Sequence, residues 1–312
     1  MSTMRAGLSG HESLFPEIRR HAEANIDYFT RHRRFLRFVD TRQKWLLAHL
    51  IARTCHDAAD GMMGGAAANW ICERAASLGV ASRNTSLAFL SQLAAYGYLD
   101  KRDHSGDRRI KLMSLSAGME TALADWTRML VEAATDSDAG ALDHEALMRI
   151  YLDMMAGLLD DPKWVRAPLD ICLTQDMRGG WLVMSEILRH LPRGAAAEEA
   201  WIPAAGLSIP AMTLSFGLSR STLYRLVRAS VEAGIMVWAE RQAVSTLMIN
   251  RYHVRQYSRW IGLVLQAAAA SHAGAVDARP RGAAIGADRF HAAGMADAAL
   301  AATAPRHAYP GY

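Results

Sequence analysis

Two tetrapeptides in this chain place hydroxyl and guanidinium groups where they can donate to phosphate oxygens: Ser82-Arg83-Asn84-Thr85 and Ser219-Arg220-Ser221-Thr222. The leading serine of each is a helix N-cap by type, because its hydroxyl accepts an N–H of the first turn. Small hydroxyl residues there reach phosphate without steric cost, and a helix N-terminus favours an anion. Arginine adds a phosphate contact or a two-pronged grip on guanine. In the second segment the helical pattern continues with Leu223, Leu226, Val227 and Val231 on one side and Arg220, Tyr224, Arg225 and Arg228 on the other. The first copy carries Leu87, Ala88 and Ser91 at the corresponding places, so Arg83 is its one arginine. Its charge lies downstream instead, in Lys101, Arg102, Arg108, Arg109 and Lys111, set against Asp100, Asp103 and Asp107.

The elements that would position these groups repeat. The two tetrapeptides are offset by 137 residues (82 to 219), and so are the glycines that close the helices they open (Gly97 to Gly234). Upstream, Trp45-Leu46-Leu47 matches Trp181-Leu182-Val183, and Ile51 matches Ile187, at an offset of 136 (45 to 181). The first copy reads as helices over 41–54 and 66–78, a third helix from Ser82 to Tyr96, strands over 98–102 and 109–115 around a turn at 103–107, and a helix over 117–134. Gly61 to Gly65 reads as a turn. The second copy reads as helices over 181–191, 207–216 and 219–233, a hairpin over 235–249 with Arg241 near its tip, and a helix over 252–270. A helix over 16–39 precedes the first copy, with a basic run near its end made of Arg31, Arg33, Arg34, Arg37, Arg42 and Lys44. A helix over 143–159 precedes the second.

The first copy resembles the MarR-type winged helix-turn-helix regulators. The resemblance rests on Ser82-Arg83-Asn84-Thr85, on Ala95-Tyr96-Gly97-Tyr98-Leu99, on the Asp107-Arg108-Arg109 wing, and on Leu115-Ser116 opening the next helix. Ser116 stands where that family has threonine, and no proline follows. The second copy fits a winged helix more generally, since its wing lacks the Asp-x-Arg. The expected fold is therefore mainly α with short β-hairpin wings, a tandem winged helix-turn-helix. Its divisions are an N-terminal helical arm (1–40), a first unit (41–135), a linker and connecting helix (136–178), a second unit (179–270) and a disordered Ala/Gly/Arg-rich tail (271–312).

The resemblance implies a sequence-specific transcriptional regulator that binds double-stranded DNA and resides in the cytoplasm. Its repeated subunit imitates a homodimer within one chain, and pairing of two chains stays open. The first unit would grip the backbone by its wing, and the second would read bases by its helix. Related regulators bind small aromatic effectors, for which Trp45, Trp126 and neighbouring methionines are candidates. Tandem winged helices also serve plasmid replication initiators and protein-interaction scaffolds, which are the rival readings.

The 312 residues include 51% hydrophobic and 21% charged residues with a net charge of +4, which permits a nucleic-acid partner without requiring one. The three cysteines, Cys55, Cys72 and Cys172, fall at no disulfide or zinc spacing, so no metal or cofactor is expected. The apolar stretch from Trp260 to Ala270 is too short to cross a bilayer. No P-loop, nucleophile elbow or His-Glu-x-x-His occurs, and the adjacent pairs Asp160-Asp161 and Glu198-Glu199 make poor acid–base dyads. Enzymatic activity is not expected.

Overall fold

The computed structural model describes residues 15–59, 65–104, 110–135, 137–191, 199–204, 208–241 and 244–277. The segment expected as one helix over 16–39 forms two, α1 (Phe15–Arg31) and α2 (Arg33–Leu36). The break falls at His32, whose backbone leaves helical geometry (φ −112°) while its Nε2 meets Asp125 Oδ2 at 2.9 Å. Then follow α3 (Arg42–Ala59), β1 (Ala66–Ala67), α4 (Ala68–Ser77), α5 (Arg83–Ala95), β2 (Leu99–Asp103), β3 (Lys111–Leu115) and α6 (Ala117–Ala134). A 3-10 turn at Ala139–Ala141 leads to α7 (His144–Asp160), α8 (Pro162–Val165) and α9 (Leu169–Gln175). The second half comprises α10 (Gly180–Arg189), β4 (Trp201–Pro203), α11 (Ile209–Phe216), α12 (Arg220–Glu232), β5 (Met236–Arg241), β6 (Val244–Asn250) and α13 (Arg251–Asp277).

The molecule is thus mainly helical with two small antiparallel sheets, and the sheets share one strand order, β1-β3-β2 and β4-β6-β5. In each half a helix is followed by a short strand, two helices, a hairpin and a long helix. Ala66 and Ala67, expected in a helix, instead pair with Met113 and Leu112 as the third strand. Trp201 to Pro203 do the same against Met248 to Asn250. The closing helix, expected to stop at residue 270, continues to Asp277, so the first seven residues assigned to a disordered tail are helical. Residues 278–312, the turn at 61–64, and Pro192 to Gly194 lie outside the described residues.

The two halves do not pack as separate domains. One continuous core takes Leu46, Leu47 and Ile51 from α3 together with Leu182, Met184 and Ile187 from α10 and Leu223 and Leu226 from α12. The leading helices are exchanged to make this core. α1, which opens the first half, packs on α10 of the second, and α7, which opens the second half, packs on α3 of the first. Each exchange is fixed by a buried polar contact: Asn25 Nδ2 donates to Ser185 Oγ at 3.1 Å, and Tyr151 OH meets His49 Nδ1 at 2.9 Å. His49 and Ser185 are themselves 136 residues apart, the offset of the repeat (49 to 185). From Phe15 onward the leading segment is therefore packed on the second half, and α6 packs against both leading helices.

Candidate nucleic-acid interface

Ser82 caps α5, its Oγ accepting from Thr85 N at 3.3 Å, and Ser219 caps α12, accepting from Thr222 N at 3.1 Å. Each cap hydroxyl also meets a neighbouring side-chain hydroxyl, Ser82 with Thr85 at 2.9 Å and Ser219 with Ser221 at 2.8 Å. These hydroxyls point at the first turn because the turn's N–H groups have no partner inside the helix. Before α12 the chain turns at Gly217, whose φ of +62° favours glycine. The first-half counterpart is Gly79, at φ +68°.

α12 presents the surface expected of it. Leu223, Leu226 and Val227 are buried and Val231 is half-buried, while Arg220, Ser221, Tyr224, Arg225 and Arg228 are exposed. Tyr224 is 57% exposed, unusual for a ring that could have packed inward. Arg228 Nε donates to Glu232 Oε1 at 2.8 Å, which raises the arginine pKa through that hydrogen bond and the nearby carboxylate charge. Among the described residues, Arg220 and Arg225 have no such carboxylate partner. α5 differs as its sequence implies. Ser82, Arg83, Asn84 and Thr85 are exposed, but Arg83 Nη2 donates to Asn69 Oδ1 at 2.9 Å and leans back on α4.

On the first hairpin Lys101, Arg102 and Lys111 are all exposed, and Lys111 is ion-paired with Asp103. Arg108 and Arg109, the core of the expected wing grip, lie outside the described residues, as does Asp107. Arg241 closes β5 opposite Val244.

The basic run before α3 is divided among different partners. Arg42 joins Asp176 at 3.1 Å and donates to the Val165 carbonyl at 2.9 Å, so it fastens α3 to the segment before α10. Lys44 and Arg178 hold the two oxygens of Asp40 at 2.8 Å each. Arg34 donates to the Tyr96 carbonyl that ends α5, and Arg33 to the Ser215 carbonyl in the last turn of α11. The contacts across the halves leave no signal in nearby sequence, because in four of them the partners are more than 100 residues apart.

Between the halves lies a cavity of about 80 Å³ walled by Trp45, Trp126, Trp164, Trp181, Trp260 and Tyr257. Trp45 and Trp126, the effector candidates, line it, and among the described residues no methionine does. His21, 5% exposed, also lines it and makes no hydrogen bond among the described residues. Its pKa falls to about 4 through burial. Cys55 and Cys72 are buried, and burial pushes the Cys55 thiol up to about 12 and raises that of Cys72. A thiol held protonated is a poor redox sensor. Among the described residues no cluster of His, Cys, Asp and Glu could hold a metal ion, and no helix is long and apolar enough to cross a membrane. No family model, curated protein or solved structure matches this chain.

Proposed function

We propose that this chain is a sequence-specific DNA-binding transcriptional regulator built from two winged helix-turn-helix units, the first of MarR-like type. It acts as a single-chain pseudo-dimer on double-stranded DNA. The observation that carries this reading is the face of α12: five exposed side chains with phosphate and base chemistry over a buried leucine stripe, in an element order that occurs twice. A helix so built enters the major groove with its N-terminal residues toward base edges. In this reading α12 supplies base readout through Arg220, Tyr224 and Arg225. The first unit supplies mainly backbone grip, through Ser82, Thr85, Lys101 and Arg102 together with Arg108 and Arg109. A small aromatic effector would bind the tryptophan-walled cavity at the seam, where it would bear on the relative placement of the halves.

The test is selection from a pool of random duplexes at two salt concentrations, with the wild type, Arg225→Ala and Arg109→Ala. The expected result is one split, asymmetric motif whose affinity falls as salt rises. Arg225→Ala should relax the motif at one position by about 10- to 100-fold in discrimination, the size of a good two-pronged base contact. Arg109→Ala should weaken all sequences alike. The reverse pattern would invert the assignment of roles, and a short tandemly repeated motif would favour a replication initiator. No enrichment and no salt dependence would overturn DNA binding and leave a protein-interaction scaffold.

A further inference from the structure

We infer that arginines of the first half complete the DNA-backbone contact of the second half, so that the phosphate site at the α11–α12 turn is composite. The inference rests on the reading of α12 as a DNA-binding helix. The exchange of α1, with α2 following it, brings the exposed Arg33 and Arg37 to the end of α11. Arg33 bonds the Ser215 carbonyl there and lies 5.6 Å from the centre of the Phe29 ring, which fixes its stem. The Arg37 guanidinium lies directly over Gly217, so closely that a Cβ on that residue would collide with it. Arg220 follows Gly217 by three positions, a span of at most about 11 Å. Arg33, Arg37 and Arg220 thus bring three positive charges to one turn.

Arg33 could be read as a mere fastener, since its bond to Ser215 joins the halves. Arg37 could not. Among the described residues its guanidinium has no hydrogen bond and no carboxylate. Asp40, three residues on, is committed to Lys44 and Arg178. An exposed guanidinium held over a turn with its planar fork unused suits the two oxygens of a phosphodiester.

The mirror position sharpens the argument. At the first half's α4–α5 turn the visiting helix is α7, and it delivers a carboxylate: Asp160 pairs with Arg74, in the last turn of α4, at 3.2 Å. That turn therefore carries an ion pair, whereas among the described residues Arg37 at the second turn has no carboxylate partner. An unneutralised guanidinium is the better partner for a phosphate.

The test uses the full chain and a duplex carrying the selected motif, with affinity measured across a salt series. Arg37→Ala should lower affinity for all sequences alike, leave the motif unchanged and reduce the slope of log affinity against log salt by about one. Arg37→Lys should restore the slope. Arg149→Ala, which removes an exposed arginine paired with Glu145 on α7, should change neither. Ethylation of phosphates beside the α12 half-site should interfere with the wild type and not with Arg37→Ala. An unchanged slope and unchanged interference in Arg37→Ala, with wild-type binding intact, would overturn the composite site alone, and a changed motif would make Arg37 a base reader instead. Loss of all salt-dependent binding in the wild type would overturn the DNA reading and this inference with it.

Discussion

His21 illustrates how a single residue ties the seam to solution conditions. It is buried, it lines the cavity between the halves, and desolvation alone lowers its pKa from 6.5 to about 4. His49 sits nearby between Trp45 and Trp126 with its Nε2 buried and unpartnered, and burial lowers it further, to about 3. In the unfolded chain both rings take up protons near pH 6.5, so below that pH the unfolded state binds more protons than the folded one. Their contribution to stability is complete above about pH 6.5 and is lost as pH falls towards 4 and 3. Each ring should add a slope of about 1.4 kcal/mol per pH unit within its window. His21→Phe removes one titration without removing a hydrogen bond, since that ring makes none among the described residues. Urea denaturation between pH 7 and 4.5 should show a shallower loss of stability in His21→Phe than in the wild type. Parallel curves would mean that the folded ring titrates normally and that the cavity is wetter than its tryptophan walls imply.

At the scale of elements, the two turns before α5 and α12 offer a matched comparison. Gly79 and Gly217 have nearly the same φ, +68° and +62°. A Cβ on Gly79 would meet nothing within 4 Å, whereas on Gly217 it would meet the end of Arg37. Alanine at either should cost about 1–2 kcal/mol for the left-handed backbone. The exposed Arg37 can swing aside, so Gly217→Ala should be no worse for stability than Gly79→Ala, yet it should reproduce the reduced salt slope of Arg37→Ala. Chemical denaturation and a salt titration of both variants decide the matter; a much larger stability loss at Gly217 would show that Arg37 is pinned as structure. The elements readable from sequence are those, like these, with local punctuation. Ser82, Gly97, Ser116 and Gly234 mark helix ends because a capping hydroxyl or a positive φ is a property of a few neighbouring residues. The hydrophobic spacing of α12 likewise fixed which side chains face out. By contrast β1 is two residues long and β4 three, too short for any alternation, and each exists only through its pairing with β3 or β6. The break at His32 depends on Asp125, and the arginines over the α11–α12 turn depend on a helix exchange, neither of which leaves a mark in nearby residues.

For the whole molecule, the exchange decides how α5 and α12 can move relative to each other. Two domains on a flexible linker would bind half-sites at many spacings, with a gain set only by linker length. Here α1 is packed on α10, α7 on α3, and α6 against both leading helices, so separating α5 from α12 would break a shared core and expose the Asn25–Ser185 and Tyr151–His49 contacts. One chain should therefore behave as a rigid pair of readers that needs no second copy, with half-sites about one helical turn (~34 Å) apart. Mass measurement of the complex should give one chain per duplex. Inserting five base pairs between the half-sites turns one of them to the opposite face and should reduce affinity to that of a single half-site. Inserting ten restores the face but adds about 34 Å, and a rigid pair cannot follow, so affinity should stay low. Recovery at ten would show that the halves come apart on DNA, and the contacts across the seam would then be a resting state released by binding rather than the frame that sets the spacing.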